Sequence, residues 1–498
     1  MGQIRSLLGQ TATYGLSSIV GRLLNYILVP IYTEVFLPAE YGIVTELYAD
    51  VAFLNILYTF GIETTFFRFA SKSKGKEILF YHQGLSLILI WTAILSSLLY
   101  GFSDQIASLL DYEGKGVFIE WLAFILAIDT LVAIPFARLR LKGMAIRFAS
   151  YKLINILANL LLNLFFLLLL PMLAQSSPGG FYEQIYDPDL GVGYVFLSNL
   201  LSNFLFLLFF LPDMFRFRFR LHVVQIRRML SYAWPLVLIG FAGVTNEMFS
   251  RIMLKYLLPE GFYPGYTSQA ALGIFGACYK LSVFMTLAVQ AFKYAYEPFF
   301  FKISDQAGAR DMYARVMNAF VIFGSFAWML IVLVLQEIAP ILLRQDVYMV
   351  GLGVVPWLLG GGFFLGIYYN LSVWYKLTDK NQLGALISFF GVLVTVLFNL
   401  LLIPFYGYMG SAYASFSTFF VMMAMSYWWG KKHYPINYSL GKAAIYGGYA
   451  MVFVALMSGI SFERSDKYMT GGIMLGVFLL GAFLLERRQV NQKPSNIG

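Results

Sequence analysis

Seven charged side chains stand inside apolar stretches of this sequence: Arg22, Glu46, Asp50, Asp129, Glu247, Arg251 and Lys280. A charge held in hydrocarbon costs on the order of 2.5–3.5 kcal/mol on insertion scales and ordinarily faces a cavity or a partner. These residues are therefore the candidates for chemistry. Arg22, Arg251 and Lys280 can attract an anionic group, while Glu46, Asp50, Asp129 and Glu247 can exchange a proton or a small cation. Thr11, Tyr14, Ser18, Arg22 and Asn25 are spaced 3, 4, 4 and 3 residues apart, the spacing of one helix face. That spacing predicts a polar stripe that lines water or packs against another helix. Glu46 and Asp50 share a face at i,i+4. Glu247 precedes Arg251 in the order that favours mutual neutralisation along one helix.

The elements that must carry these residues follow from composition. The chain has 498 residues, 59% apolar and 12% charged, against roughly 45–50% and about 25% in a soluble domain. An ordinary soluble fold is excluded. Apolar runs bounded by charge or turn residues predict helices near 8–33, 42–64, 81–102, 117–137, 151–172, 192–212, 231–256, 269–292, 314–338, 349–375, 383–404, 408–429, 441–460 and 468–485. The expected fold is thus all-α, a polytopic membrane protein with 14 transmembrane helices. Of the 35 Lys and Arg residues, 27 fall in one set of alternate connections and five, including Lys255, in the other. By the positive-inside rule the richer side is cytoplasmic and carries both termini. On these spans, Arg22, Asp50, Asp129, Glu247 and Lys280 lie roughly 13–18 Å from the outer end at 1.5 Å per residue, near the midplane where a transporter site is expected.

Several function classes drop out. The longest outer connection, near 173–191, is far shorter than the ~50 residues a folded catalytic domain needs, so a membrane glycosyltransferase or polymerase is disfavoured and no enzyme is expected. One cysteine and three scattered histidines offer neither a disulfide framework nor a metal centre. There is no Gly-rich Lys motif for ATP, and the basic residues form no single patch for nucleic acid. No cofactor is expected.

Landmarks recur at matching places in two sets of six helices. Leu37-Pro38, Tyr41-Gly42-Ile43 and Tyr48 are echoed by Leu258-Pro259, Leu272-Gly273-Ile274 and Tyr279. Asn163 to Pro171 followed by Gly191-Val192-Gly193-Tyr194 is echoed by Asn399 to Pro404 followed by Gly407-Tyr408-Met409-Gly410. Such a repeat predicts two six-helix lobes, 1–212 and 213–430, in a pseudo-two-fold arrangement, plus a C-terminal helix pair with its tail over 431–498. The 6+6+2 plan, the Tyr-Gly opening helix two and the Pro404 to Ala414 run, PFYGYMGSAYA, resemble the Wzx-like polysaccharide-export flippases. These share a superfamily with multidrug extrusion transporters and lipid II flippases.

The resemblance implies alternating access around a central cavity. It implies movement of an undecaprenyl-diphosphate-linked oligosaccharide to the outer leaflet of a bacterial inner membrane, with membrane lipids around it and a polysaccharide polymerase among its partners. On that picture Arg22, Asn25, Arg251 and Lys280 hold substrate, and Glu46, Asp50, Asp129 and Glu247 couple transport to H⁺ or Na⁺. The alternative is a multidrug or organic-cation antiporter of the same superfamily, which the acidic first half favours and the extra helix pair disfavours. Gly360-Gly361-Gly362, Gly366, Pro30, Pro235 and Pro356 read either as hinges or as close-packing positions.

Overall fold

The computed structural model describes residues 19–21, 23–73, 75–303, 306, 308–460 and 463–491. These residues form helices and connections, with no β-strand among them. Ten helices among them are long and apolar enough to cross a bilayer. The number is twelve if two bent pairs, Phe181–Leu190 with Gly193–Leu208 and Ser268–Leu281 with Val283–Lys293, are each one span. The architecture is therefore an all-α polytopic membrane protein. The sequence reading gives two spans more. The first half of its first segment, 8–18, lies outside the described residues, and its twelfth is a 26-residue helix, Tyr408–His433, diluted by Ser, Thr and Tyr.

The chain divides into two compact units, the first Met1–Tyr256 with Tyr263–Gly273, the second Leu257–Phe262 with Ile274–Gly498. In the first, the main helices are α1 (Leu28–Val35), α2 (Pro38–Thr59), α3 (Ile62–Lys72), α4 (Glu77–Gly101), α5 (Gly116–Leu141), α6 (Ala145–Leu164), α7 (Gly193–Leu208) and α8 (Val223–Leu257), followed by the start of α9 (Ser268–Leu281). Nearly all of α8 packs with this unit, although the lobes read from the sequence assign it to 213–430. Phe60 and Gly61, at φ 45° and 65°, break the long second span into α2 and α3. The α3 side chains Ile62 and Phe66 then join Phe80, Tyr81, Ile134 and Met229 in a buried core. After α6 the backbone loosens into a π-helical turn, Phe165–Leu169. Pro171 follows directly; its missing N–H and its ring would disrupt a regular α-helix at this point.

Two glycines, Gly42 on α2 and Gly273 on α9, meet inside the first unit. A Cβ on Gly273 would sit 1.8 Å from the Pro38 carbonyl oxygen and 2.9 Å from the Gly42 nitrogen, and one on Gly42 would sit 2.2 Å from the Gln269 carbonyl oxygen. The two backbones are in direct contact, as small residues permit at membrane helix crossings.

The second unit is built from α10 (Val283–Ile303), α11 (Ala309–Leu333), α12 (Val355–Leu371), α13 (Asn381–Tyr406), α14 (Tyr408–His433), α15 (Leu440–Gly459) and α16 (Arg464–Asn491). Helix α12 is its buried centre. A Cβ on Gly360 would fall 2.5 Å from the Trp328 ring, and one on Gly366 would fall 2.2 Å from the Phe320 ring. These glycines therefore make room for aromatic neighbours on α11. Trp328 donates its indole N–H to the Pro356 carbonyl at 2.9 Å, which anchors the start of the same helix.

Candidate functional site

Glu46 and Asp50 lie one turn apart on α2 and meet opposite surroundings. Glu46 is 1% exposed and accepts from Lys255 Nζ at 3.0 Å, from the Tyr112 hydroxyl and from the Tyr256 hydroxyl at 3.4 Å. Lys255 also donates to the Leu110 carbonyl at 2.6 Å and lies 4.6 Å from the centre of the Tyr112 ring. Gln269 donates to the Tyr112 oxygen at 2.8 Å. Burial, and then the neighbouring Glu46 carboxylate, hold the Tyr112 phenol well above its ordinary pKa, so it stays a donor. This is a closed ionic clamp that ties α2, the connection at 110–112, α8 and the start of α9. Lys255 is a correction to the sequence reading: it belongs to the last turn of α8 and is 7% exposed, rather than to an outer connection.

Asp50 has no such partner for its Oδ2, which is buried without a hydrogen bond. It lines a cavity of about 350 Å³ whose other walls, among them Leu47, Leu54, Leu99, Ile119, Phe249 and Ile252, are all apolar. A carboxylate oxygen left without a partner there is a costly anion.

Asp129, midway along α5, is exposed on the unit's surface. One of its oxygens accepts from Asn203 Nδ2 on α7 at 2.9 Å. Asn203 in turn accepts from Asn155 Nδ2 on α6 at 3.2 Å, and Asn155 also donates to the Ser202 carbonyl at 3.1 Å. Beside this network Asn199 donates to the Tyr48 hydroxyl at 2.9 Å. Tyr32 donates to Asn163 Oδ1 at 2.8 Å, and Asn163 donates to Asn159 Oδ1 at 2.6 Å. The first unit thus carries an asparagine-rich polar seam through α6 and α7, with Asp129 at its open end. An exposed carboxylate at mid-span would be expensive against lipid. The sequence points to Asp129 but not to Asn155, Asn199 or Asn203. Their signal, asparagines four residues apart on α7, was present.

The remaining candidates fall as follows. Asn25 and Glu247 are exposed, and Arg251 is half-buried with Nη1 2.7 Å from Met248 Sδ. Lys280 is half-buried and belongs to the second unit. Arg22, with Thr11, Tyr14 and Ser18 of its proposed stripe, lies outside the described residues. Among the described residues no three His, Cys, Asp or Glu side chains form a group that could hold a metal ion.

These features can be set against known proteins. A family model described as "Polysaccharide biosynthesis protein" matches residues 7–304, more than half of the chain. No curated protein matches the sequence. Among solved structures the chain is similar to the lipid II flippase MurJ in an inward closed conformation, with a TM-score of 0.72 and 12% identity over 96% of this chain and 99% of that one. It is similar to an inward-facing multidrug resistance MATE family transporter of the MOP superfamily, with a TM-score of 0.58 and 15% identity over 83% and 94% of the two chains. The Vibrio cholerae MATE transporter VcmN in its bent form gives a TM-score of 0.55 and 15% identity over 90% and 100%. At such identities the likeness speaks for the fold alone, and the family model speaks for the lineage. Taken together, they make this chain a member of the polysaccharide biosynthesis protein family, built on the helical membrane-transporter fold that MurJ and the MATE proteins share.

Proposed function

We propose that this protein is a flippase that moves an undecaprenyl-diphosphate-linked oligosaccharide from the inner to the outer leaflet of a bacterial inner membrane, for O-antigen or capsule synthesis. The observation that carries the reading is the family match on a MurJ-like fold. The flippase works by alternating access between two six-helix lobes, with both termini cytoplasmic and a polymerase receiving the product outside. Arg22, Asn25, Arg251 and Lys280 attract the diphosphate or acidic sugars.

Coupling falls to Asp50 and Asp129 rather than to Glu46. Glu46 is committed to Lys255 at 3.0 Å, whereas Asp50 leaves one oxygen without a hydrogen bond over its cavity and Asp129 is exposed with Asn203 as its anchor. Uptake of H⁺ or Na⁺ at these two carboxylates would neutralise them in one half of the cycle.

Deletion of the gene should leave lipid-linked oligosaccharide on the inner leaflet, and wild-type protein in proteoliposomes should carry it across in response to a pH or Na⁺ gradient. Transport indifferent to both gradients would remove the coupling. Binding and efflux of a cationic dye, with no movement of lipid-linked sugar, would instead favour the organic-cation antiporter, for which the MATE likeness and the exposed carboxylates are the supporting observations.

A further inference from the structure

The basic residues of one connection differ from Arg138 and Arg140 beside it. In the first unit Arg138 is neutralised by Glu77 at 3.0 Å and Asp213 at 3.4 Å, and Arg140 by Glu63. Next to them runs Phe215-Arg216-Phe217-Arg218-Phe219-Arg220-Leu221-His222, a strict alternation of apolar and basic residues. Arg216, Arg218 and Arg220 are exposed, and among the described residues no carboxylate lies within ion-pair distance of them.

The segment is not loose. Its residues 217–222 are non-helical. The backbone N–H of Arg218 donates to His82 Nδ1 at 3.3 Å and that of Arg220 to Ser86 Oγ at 2.9 Å. Four residues along helix α4 and two along an extended strand both advance about 6–7 Å, so the pairing of 82 and 86 with 218 and 220 fits an extended run lying along the helix. Extended backbone sends alternate side chains to opposite faces. The Phe217 and Phe219 rings accordingly lie 6.5 Å apart, and Phe217 packs against the buried core of α3 and α4. Beyond that anchor the apolar face is open: Phe215 is 85% exposed, Phe219 55% and Leu221 44%. Bare apolar side chains on one face and unneutralised arginines on the other, at the end of a membrane span, form the pattern of an element lying in the headgroup layer.

We propose that residues 215–222 form an interfacial strap that binds the phosphate groups of anionic lipids. Phe215, Phe219 and Leu221 enter the acyl boundary and Arg216, Arg218 and Arg220 contact the phosphates. Docking the strand on α4 holds the three guanidinium groups in a row, so each can reach a separate headgroup. The two sources of such a phosphate are bulk anionic phospholipid and the polyprenyl diphosphate carrier of the proposed substrate. The strap itself does not depend on the transport reading or on which leaflet it meets.

The test uses the full chain in phosphatidylcholine vesicles, alone or with phosphatidylglycerol, undecaprenyl diphosphate or soluble pyrophosphate, with amide exchange read over 215–224. Lipid phosphate should slow exchange there, by about fivefold for each arginine engaged. The triple variant Arg216→Gln, Arg218→Gln, Arg220→Gln should lose that response while exchange in the α4 core stays unchanged. A Lys431→Gln, Lys432→Gln variant should keep it. Slowing by phosphatidylglycerol assigns the strap to bulk lipid, and slowing by undecaprenyl diphosphate alone assigns it to the carrier. Indifference of the wild-type chain to both lipids overturns the proposal, as does equal slowing by soluble pyrophosphate.

Discussion

Glu46 and Asp50 are two carboxylates on one face of one helix, a single turn apart, and their surroundings are opposite. Glu46 is enclosed by Lys255, Tyr112 and Tyr256, every one of them a donor. Asp50 looks into an apolar cavity with one oxygen unanswered. The contrast teaches that a charge buried in a membrane span acquires a role from what closes around it. A satisfied pair is a fastening, because separating it leaves a bare charge. An unsatisfied carboxylate leaves its desolvation cost standing.

The comparison can be broken most forcefully at the clamp. Lys255→Met strands Glu46 and should lower stability by about 3–5 kcal/mol, measured by unfolding in detergent; adding Glu46→Gln should recover much of that loss. If Lys255→Met is neutral, the clamp is not a fastening. Asp50→Leu should do the reverse, raising stability by about 1–3 kcal/mol through removal of an unanswered polar oxygen while abolishing gradient-driven transport in proteoliposomes. Equal transport by this variant would remove Asp50 from the coupling. Asp129→Asn should change stability by no more than about 0.5 kcal/mol, as for an exposed substitution, yet stop transport, which separates a working group from a structural one.

The smallest effect sharpens the contrast from the outside. Glu337, in the second unit, accepts from Tyr468 at 2.7 Å and from Arg464 on an exposed surface. The Tyr468 hydrogen bond, followed by the Arg464 charge, holds its carboxyl below the ordinary value of 4.5. A carboxyl with a lowered folded-state pKa contributes stability above its unfolded value and loses it as pH falls through the folded one. A pH scan of the melting temperature from neutral downwards should therefore show the wild-type chain and Glu337→Gln converging below the ordinary glutamate range, with the wild type slightly higher near neutrality. A constant gap across the scan would mean the contact does not depend on charge.

Much of this molecule was legible in advance. From the second segment onward, each apolar run read from the sequence coincides with a helix, because a chain in hydrocarbon must satisfy its own backbone and only length and apolarity are needed to see where. The midspan charges stood out for the same reason. What was not legible was pairing. Lys255 looked like one more residue of an outer connection, since its partner lies 209 positions away. Asn155, Asn199 and Asn203 take their meaning from Asp129 and Tyr48, which only the fold brings against them. The glycines of α12 read as hinges or, more readily, as contacts, and Trp328 and Phe320 pack against Gly360 and Gly366.

Local composition and spacing are enough to give the membrane architecture and the short inventory of intramembrane charges. Those properties depend on local composition and period, which every window of the chain carries. Which carboxylate is fastened and which is left open follows from the fold. Electrostatic cost depends on the atoms within a few ångströms, and those atoms come from helices that the linear order keeps far apart.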